Sequence, residues 1–334
     1  MAYKYERVYA DKAVLSKYGK SLHRLVKFLS TAGVEYMLQT GDTAVDRFYV
    51  CTGANTDEMP NGDMVIADTV DGILVKYIAS NAFVEATYLN SVVIPDSVLT
   101  IGESAFRASS LTHVTFAGNS DLRAIGSNAF YRSALREITI PESVEEIQSW
   151  AFYGCANLTK VTFRGALDAC GSNVFNCCTS LQEVIFSDKM TTIPVTFVGC
   201  TALTTITIPD SVTTMSSYIF QECNKLKEVT LSKQLTAISN YAFEGCTSLT
   251  NIVIPDNVVT LGEEAFNGCS SLESITLPVS LKSLKRMSLG DCTSLKDLYY
   301  EGTMEQWRSI SRDGNWSTGT TGYTIHYADG QTSQ

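Results

Sequence analysis

The stretch "EGCTSLTNIVIPDNVVTLGEEAFNGC", residues 244–269, contains nearly the same phrase twice. Sliding it along the chain aligns an aromatic residue, a cysteine, a leucine and a Val/Ile alternation at intervals of 22 to 24 residues. The aligned aromatic residues are Phe83, Phe106, Phe130, Phe152, Phe175, Phe197, Phe220, Phe243 and Phe266. Leu289 takes this place in a tenth copy. A fixed period in the twenties predicts a solenoid of stacked units.

Each copy also predicts where its side chains point. Ile252 and Ile254 alternate with Asn251 and Val253, as in a β-strand, so the isoleucines should point inward and the other two outward. After Pro255, a second apolar set has the spacing of a tight helical turn along the opposite wall: Val258, Leu261, Ala265 and Phe266. We therefore predict about ten coils, each with a β-strand and a short helical turn, which bury their core only by stacking.

Three stretches carry a family resemblance: "IPDSVLTIGESAF", "IPESVEEIQSWAFYGC" and "IPDNVVTLGEEAFNGC". They resemble the BspA-like class of bacterial leucine-rich repeats over about residues 70–300. The resemblance implies a leucine-rich-repeat solenoid with adhesion or recognition roles, at a cell surface or in the extracellular space. We accordingly predict three parts: a small α+β N-terminal module (1–69), the repeats (70–300) and a C-terminal cap (301–334).

The cysteines follow the same period. Seven of the ten lie three residues after the repeat phenylalanine or its Leu289 equivalent. They are Cys155, Cys178, Cys200, Cys223, Cys246, Cys269 and Cys292. Because in-register side chains of stacked coils point in parallel, disulfide geometry is disfavoured. We expect buried free thiols that pack as small apolar groups, with metal binding or redox chemistry as the alternative.

Residues 12–30 place apolar side chains on one face at helical spacing, which predicts an amphipathic basic helix. Three interpretations stay open: a helix packed on its own domain, a docking helix, and a helix lying on a membrane surface. Residues 1–30 carry a net charge of +5 in a chain of net charge −10, so we expect a homo-oligomer or larger assembly through them. No stretch is long enough to span a membrane, and the N-terminus lacks the apolar segment of a secretory signal.

The segments "DRFYVCTG", "DMVIADT" and "GILVKYI" predict three short strands, with turns at Asn61-Gly62 and Asp71-Gly72. The surrounding stretch "TGANTDEMPNGDMVIADTVDG" is similar to small β modules of phage tail and fibre proteins. This resemblance implies an alternative, virion-associated role in which the N-terminal module anchors a receptor-binding component.

The C-terminal segment resembles the part of BspA-like proteins that closes the array. Thr303 with Gln306 fits a capping box at the start of a short helix. The side chains expected to cover the last coil are Trp307, Ile310, Tyr323, Ile325 and Tyr327. Such a cap is needed because the final coil would otherwise expose its core to water.

No catalytic centre is predicted. The three histidines, His23, His113 and His326, lie in separate parts of the chain, so no catalytic triad can form from them. The sequence contains no phosphate-binding glycine loop and no His/Cys set with zinc spacing. We therefore expect no enzymatic activity, no cofactor and no metal, and the acidic balance of the chain argues against nucleic acid as a partner.

Candidate binding residues lie on two surfaces. An outward column of the strands varies in charge and size from coil to coil: His113, Glu137, Lys160, Glu183, Glu228 and Asn251. The adjacent outward column is mostly threonine, as strand propensity and Thr–Thr pairing favour. A second candidate surface, suited to carbohydrate stacking, is the aromatic group near the Ala-Phe turn: Tyr131, Trp150, Tyr153, Tyr218 and Tyr241.

The leading hypothesis is a non-catalytic adhesion protein that binds a surface protein or glycan through its strand face. In addition to Lys160, Glu183 and the rest of the strand column, Trp150 and Tyr153 are the ligand-binding candidates. The alternatives are the receptor-binding component of a phage tail or similar particle, and a structural spacer whose faces bind nothing.

Overall fold

The chain winds into a β-solenoid of about 12 turns. The computed structural model describes residues 4–7, 26–29, 34–40, 47–54 and 62–334. The predicted solenoid is confirmed, with more coils than the ten phenylalanine-equivalent positions indicate. The added coils lie at the two ends, where Asp63–Val65 and Thr324–Tyr327 extend the ladder of strands.

One wall of the solenoid, here called the strand face, is a ladder of parallel strands in register. Its strands are Asp63–Val65, Ser91–Ile94, His113–Phe116, Glu137–Ile140, Lys160–Phe163, Glu183–Ile185, Thr205–Thr207, Glu228–Thr230, Asn251–Val253, Ser274–Leu277, Asp297–Tyr300 and Thr324–Tyr327. The predicted alternation is confirmed, because Ile252 and Ile254 are buried while Asn251 and Val253 are exposed. The continuous ladder hydrogen bonding breaks after Glu183–Ile185 and again after Glu228–Thr230.

A second parallel ladder forms the adjoining wall. Its strands are Ile73–Ile78, Thr100–Ile101, Ala124–Ile125, Glu146–Ile147, Ala169–Cys170, Thr192–Ile193, Thr214–Met215, Ala237–Ile238, Thr260–Leu261, Ser283–Leu284 and Ser311–Arg312. Thr69–Val70 pairs antiparallel with Ile73–Ile78, and Thr332–Ser333 pairs antiparallel with Thr324–Tyr327. Asp71 and Gly72 join the first of these pairs with φ of 51° and 75°, as a tight hairpin turn requires.

The Ala-Phe segment is a series of turns, so the predicted helical turn is wrong. Glu264 and Gly268, on either side of Phe266, have φ of 52° and 72°, which no α-helix accommodates. The Phe266 N–H donates to the Ser288 carbonyl of the next coil at 3.0 Å. The backbone here bonds to a neighbouring coil, whereas a helix would satisfy its own amides.

The core is a column of stacked phenylalanines that runs from Phe83 to Phe266. Successive ring centroids are 4.8–5.8 Å apart with interplanar angles of 5–24°. Each ring is fully buried, and Leu289 continues the column as an aliphatic residue. Each coil therefore buries its phenylalanine only against its neighbours.

The N-terminal strands prolong the second ladder beyond the repeats. They are Lys4–Arg7, Val26–Leu29, Val34–Thr40 and Arg47–Ala54, which pair antiparallel in this order, and the last pairs parallel with Ile73–Ile78. The strands predicted in "DRFYVCTG" and "GILVKYI" are confirmed, whereas the strand predicted over 63–69 is wrong in extent, because it divides into Asp63–Val65 and the start of Thr69–Val70. The helix predicted over 12–30 is wrong at Val26–Leu29, because this β-prone segment has a strand partner in Val34–Thr40. Residues 12–25 lie outside the described residues.

At the C-terminal end, the only α-helix of the described residues spans Met304–Ser309. The predicted capping box is confirmed: Thr303 Oγ1 accepts from the Gln306 N–H, and Gln306 Oε1 accepts from the Thr303 N–H. The five residues expected over the last coil are buried or partly buried there. The division of the chain at 69/70 and 300/301 stays a prediction, and both ladders run across it.

We expect Phe220→Ala to destabilise the solenoid by about 3–5 kcal/mol, since it removes a ring packed between two others. Phe220→Leu, which copies Leu289, should cost less. Cys223→Ser should also cost less, because Ser109 and Ser133 occupy the same place in other coils. Thermal and urea unfolding measure these changes. Unfolding of Phe220→Ala at the native midpoint would contradict the packing.

Candidate ligand-binding surfaces

The strand face brings the predicted column together. His113 pairs with Glu137, Glu137 with Lys160, and Lys160 with Glu183, each at the same register position. Parallel strands lie about 4.8 Å apart, so one extended ligand can contact several of these side chains. Thr205 and a break in the hydrogen-bonded ladder separate Glu183 from Glu228. Glu228 and Asn251 therefore form separate positions further along the face.

The charges in this column are partly paired. Lys160 Nζ lies 2.8 Å from Glu183 Oε2, and the two side chains are 36% and 53% exposed. This hydrogen bond to Glu183 raises the Lys160 pKa, and Glu137 adds a smaller effect in the same direction. His113 Nδ1 lies 2.8 Å from Thr112 Oγ1. An ion pair this exposed adds little to stability, so the column is not required by the fold.

The neighbouring column carries exposed apolar groups between its threonines. Ile185 is 40% exposed, Val253 64% and Tyr299 44%. The Tyr299 ring stacks on His326 at 4.8 Å, and His326 Nε2 lies 2.6 Å from Asp297 Oδ1. The strand face thus combines apolar, aromatic and charged groups on one sheet.

The turn edge carries a separate groove of about 790 Å³, here called the turn groove. Its wall includes the predicted Trp150 and Tyr153, so the structure brings these two candidates together and away from the strand column. Tyr131 and Tyr153 stack at 5.4 Å, and the Arg107 and Arg132 guanidinium groups lie 5.9 and 5.3 Å from the Tyr131 ring centre.

Sequence reasoning missed most of the lining of the turn groove, including Arg107, Asn173 and Asn176. Arg107 and Asn176 directly follow repeat phenylalanines, as Tyr153 does, so the period itself contained the signal. A second groove of about 580 Å³ shares Asn173 and Asn176 and extends to Tyr218. Tyr218 stacks on Tyr241 at 4.6 Å, so aromatic groups line the turn edge over several coils.

The seven ladder cysteines are free and buried, as predicted. Each Sγ donates a hydrogen bond of 3.0–3.4 Å to the phenylalanine carbonyl of the preceding coil. Burial raises the pKa of Cys155 to about 11 and that of Cys223 to about 12. Thiols held in this protonated form serve as packing groups and not as nucleophiles.

Within the described part of the chain, no three His, Cys, Asp or Glu side chains come close enough to hold a metal ion. His113 and His326 lie on different coils of the strand face, and His23 lies outside the described residues. In the part of the chain that the structure describes, no helix has the length and hydrophobicity that crossing a membrane requires.

Two parallel ladders with an inward leucine and phenylalanine set define a leucine-rich-repeat solenoid. The family model of the BspA type leucine rich repeat region matches residues 76–197 and 194–311, with 6 copies. This is more than half of the chain, which therefore belongs to the BspA-type leucine-rich repeat family. Proteins of this family are generally non-enzymatic. Membership of the family suggests a role in protein binding or adhesion.

Three bacterial proteins of known structure are similar to this chain, and the first of them, with a TM-score above 0.5, has the same fold. The pneumococcal vaccine antigen PcpA is 17% identical, with 92% of this chain and 82% of that chain covered and a TM-score of 0.53. A leucine rich cell surface protein of Faecalibacterium prausnitzii is 24% identical, with 86% and 98% covered and a TM-score of 0.42. A leucine-rich repeat protein of Eubacterium ventriosum is 19% identical, with 96% and 95% covered and a TM-score of 0.46. No curated protein matches the sequence significantly.

We expect iodoacetamide at about pH 8 to label Cys177 first, because it is only half-buried, and to leave the ladder thiols unmodified until the chain unfolds. Cys170 is also half-buried, but burial raises its pKa to about 12, so it should react slowly. Peptide mass spectrometry identifies the labelled sites. Labelling of Cys200 as fast as Cys177 would contradict the buried ladder.

Proposed function

We propose that this protein is a non-catalytic recognition protein that binds a protein or glycan at a cell surface through its strand face. The observation that carries the proposal is the contrast between inward and outward positions of the same strands. Val161 and Val184 point inward and repeat in type, whereas Lys160 and Glu183 point outward and differ. The fold requires apolar side chains at Val161 and Val184. It places no such requirement on Lys160 and Glu183, whose exposed side chains can contact a ligand.

The strand face also suits binding because it is held rigid. Within each of its three hydrogen-bonded segments the strands are fixed by ladder hydrogen bonds, and the core lies behind all of them, so few degrees of freedom are lost when a ligand docks. Exposed Ile185 and Val253 provide apolar contact area beside the charged column. Desolvating such groups contributes binding free energy, while mixed charges in the column select among ligands.

Location at a cell surface is part of the proposal. BspA-like leucine-rich repeat proteins are cell-surface proteins, which supports it. Assembly through residues 1–30 stays a prediction. If it is correct, deletion of these residues should give a smaller species in sedimentation. An unchanged species would contradict it. The phage-particle and spacer alternatives have no observation in the described residues that favours them.

We expect Lys160→Ala combined with Glu183→Ala to weaken binding about tenfold or more, measured on the cell type or immobilised glycan that retains the native protein. Both partners of the ion pair are removed together, and because a pair this exposed adds little to stability, the melting temperature should not change. The matched variant Trp150→Ala with Tyr153→Ala alters the other surface.

The two variants separate the alternatives. Loss of binding with the aromatic pair alone would move the site to the turn edge and contradict the strand-face assignment. Native binding with both variants would leave no recognition role for either surface and would favour a spacer.

A further inference from the structure

The turn groove has a composition that neither the fold nor the strand-face proposal explains. Two columns of side chains border it, one two residues before each repeat phenylalanine and one directly after it. The lining residues are Ser104, Arg107, Asn128, Tyr131, Trp150, Tyr153, Asn173, Asn176, Cys177 and Val198. We propose that this groove is a second binding site, for a linear glycan that carries carboxylate groups, such as one containing uronic acids.

Trp150 is the first reason. Its side chain is 43% exposed in the groove, and its φ is 57°, a conformation that bulky residues rarely adopt. The neighbouring coils place Asn128 and Asn173 at this position with φ of 55° and 58°, and asparagine tolerates this conformation. Neither the core nor the backbone accounts for tryptophan here. A flat exposed indole suits the apolar C–H face of a sugar ring.

The polar groups of the groove suit hydroxyl recognition. Asn176 is 5% exposed, and its Oδ1 accepts from Thr196 Oγ1 at 2.8 Å and from the Val198 N–H at 3.2 Å. Its Nδ2 donates to Asn173 Oδ1 at 2.7 Å, which fixes the orientation of the Asn173 amide. The Asn173 Nδ2 group then has no hydrogen-bond partner within the described part of the chain, so it can donate to a ligand.

The charge of the groove favours an anionic ligand. Arg107 lines it and Arg132 adjoins it, with both guanidinium groups over the Tyr131 ring. No carboxylate belongs to the lining residues, although the chain has 35 acidic and 25 basic residues. Neither arginine forms an ion pair with another described residue. A guanidinium on an aromatic face is already partly desolvated and binds carboxylate with two parallel hydrogen bonds.

The groove's shape favours a chain over a single terminal sugar. Through Asn173, Asn176 and Val198 it continues into the second groove, which ends near Tyr218. The stacked rings repeat with the coils, at 5.4 Å for Tyr131–Tyr153, a spacing similar to the rise of an extended glycan. None of the lining residues belongs to the strand column, so the two sites can bind independently.

Titration of the full chain with three probes tests the proposal: a hyaluronan oligosaccharide, a neutral chito-oligosaccharide of equal length, and sialyllactose. We expect hyaluronan to bind about tenfold or more tightly than the neutral chain. Stronger binding of sialyllactose than of hyaluronan would overturn the claim that the groove prefers a linear chain to a terminal sugar. Equally tight binding of the neutral chito-oligosaccharide would overturn the claim that the ligand carries carboxylate groups. Failure of all three probes to bind would overturn the claim that the turn groove is a glycan-binding site.

Each variant copies a residue that another coil carries at the same position, so we expect the fold to be retained. Trp150→Asn copies Asn128 and Asn173, and should weaken both linear glycans about tenfold. Arg107→Gln copies Gln221, and should weaken hyaluronan only. Tyr153→Gln is the second aromatic variant should Trp150→Asn fail to fold. Native hyaluronan binding by these variants would overturn the assignment.

Lys160→Ala with Glu183→Ala is the matched control, and it should bind hyaluronan as the native chain does. Loss of hyaluronan binding in this control would overturn the separation of the two sites. Its effect on cell binding tests the strand-face proposal alone, so either site can fail without the other.

Discussion

The coils between Phe83 and Phe266 depend on the stacking of each repeat phenylalanine between those of the adjacent coils. A single coil of 22 to 24 residues cannot shield such a ring from water, so burial is a property of the neighbouring pair. The Phe220 ring lies 5.8 Å from Phe197 and 5.7 Å from Phe243. The thiol of each ladder cysteine donates a hydrogen bond to the preceding coil. The backbone amide of each central phenylalanine donates a hydrogen bond to the next coil. Apolar packing and backbone hydrogen bonding therefore act along the same axis.

This constraint explains which features the sequence could predict. Inward positions such as Ile252 and Phe266 repeat because the core needs them, so solenoid, strand alternation and free thiols all follow from spacing. The turn around Phe266 was predicted wrongly as helical, because apolar spacing does not reveal that Glu264 adopts a left-handed conformation. Val26–Leu29 was mistaken for helix because its strand depends on a partner further along the chain.

Function was harder to predict for the same reason. Outward residues of the charged strand column carry no repeat pattern, since nothing in the core constrains them. The sequence did place Lys160 beside Glu183 and Trp150 near Tyr153, because the register brings equivalent positions together. It did not lead to Arg107, although Arg107 follows its repeat phenylalanine as Tyr153 does, because spacing alone does not show that these equivalent positions line one groove. Two surfaces of different chemistry are thus presented by one rigid core.

Amide hydrogen exchange of the full chain tests the account's central claim most directly. The backbone amides of the repeat phenylalanines, from Phe106 to Phe266, donate to the next coil at 2.7–3.3 Å. These amides should therefore form one slowly exchanging set. Protection should be highest in the central coils and should decrease toward both ends, where each coil has fewer neighbours. Fast exchange at Phe220, with slow exchange retained in the adjacent strands, would contradict the claim that coil-to-coil stacking of this column holds the solenoid together.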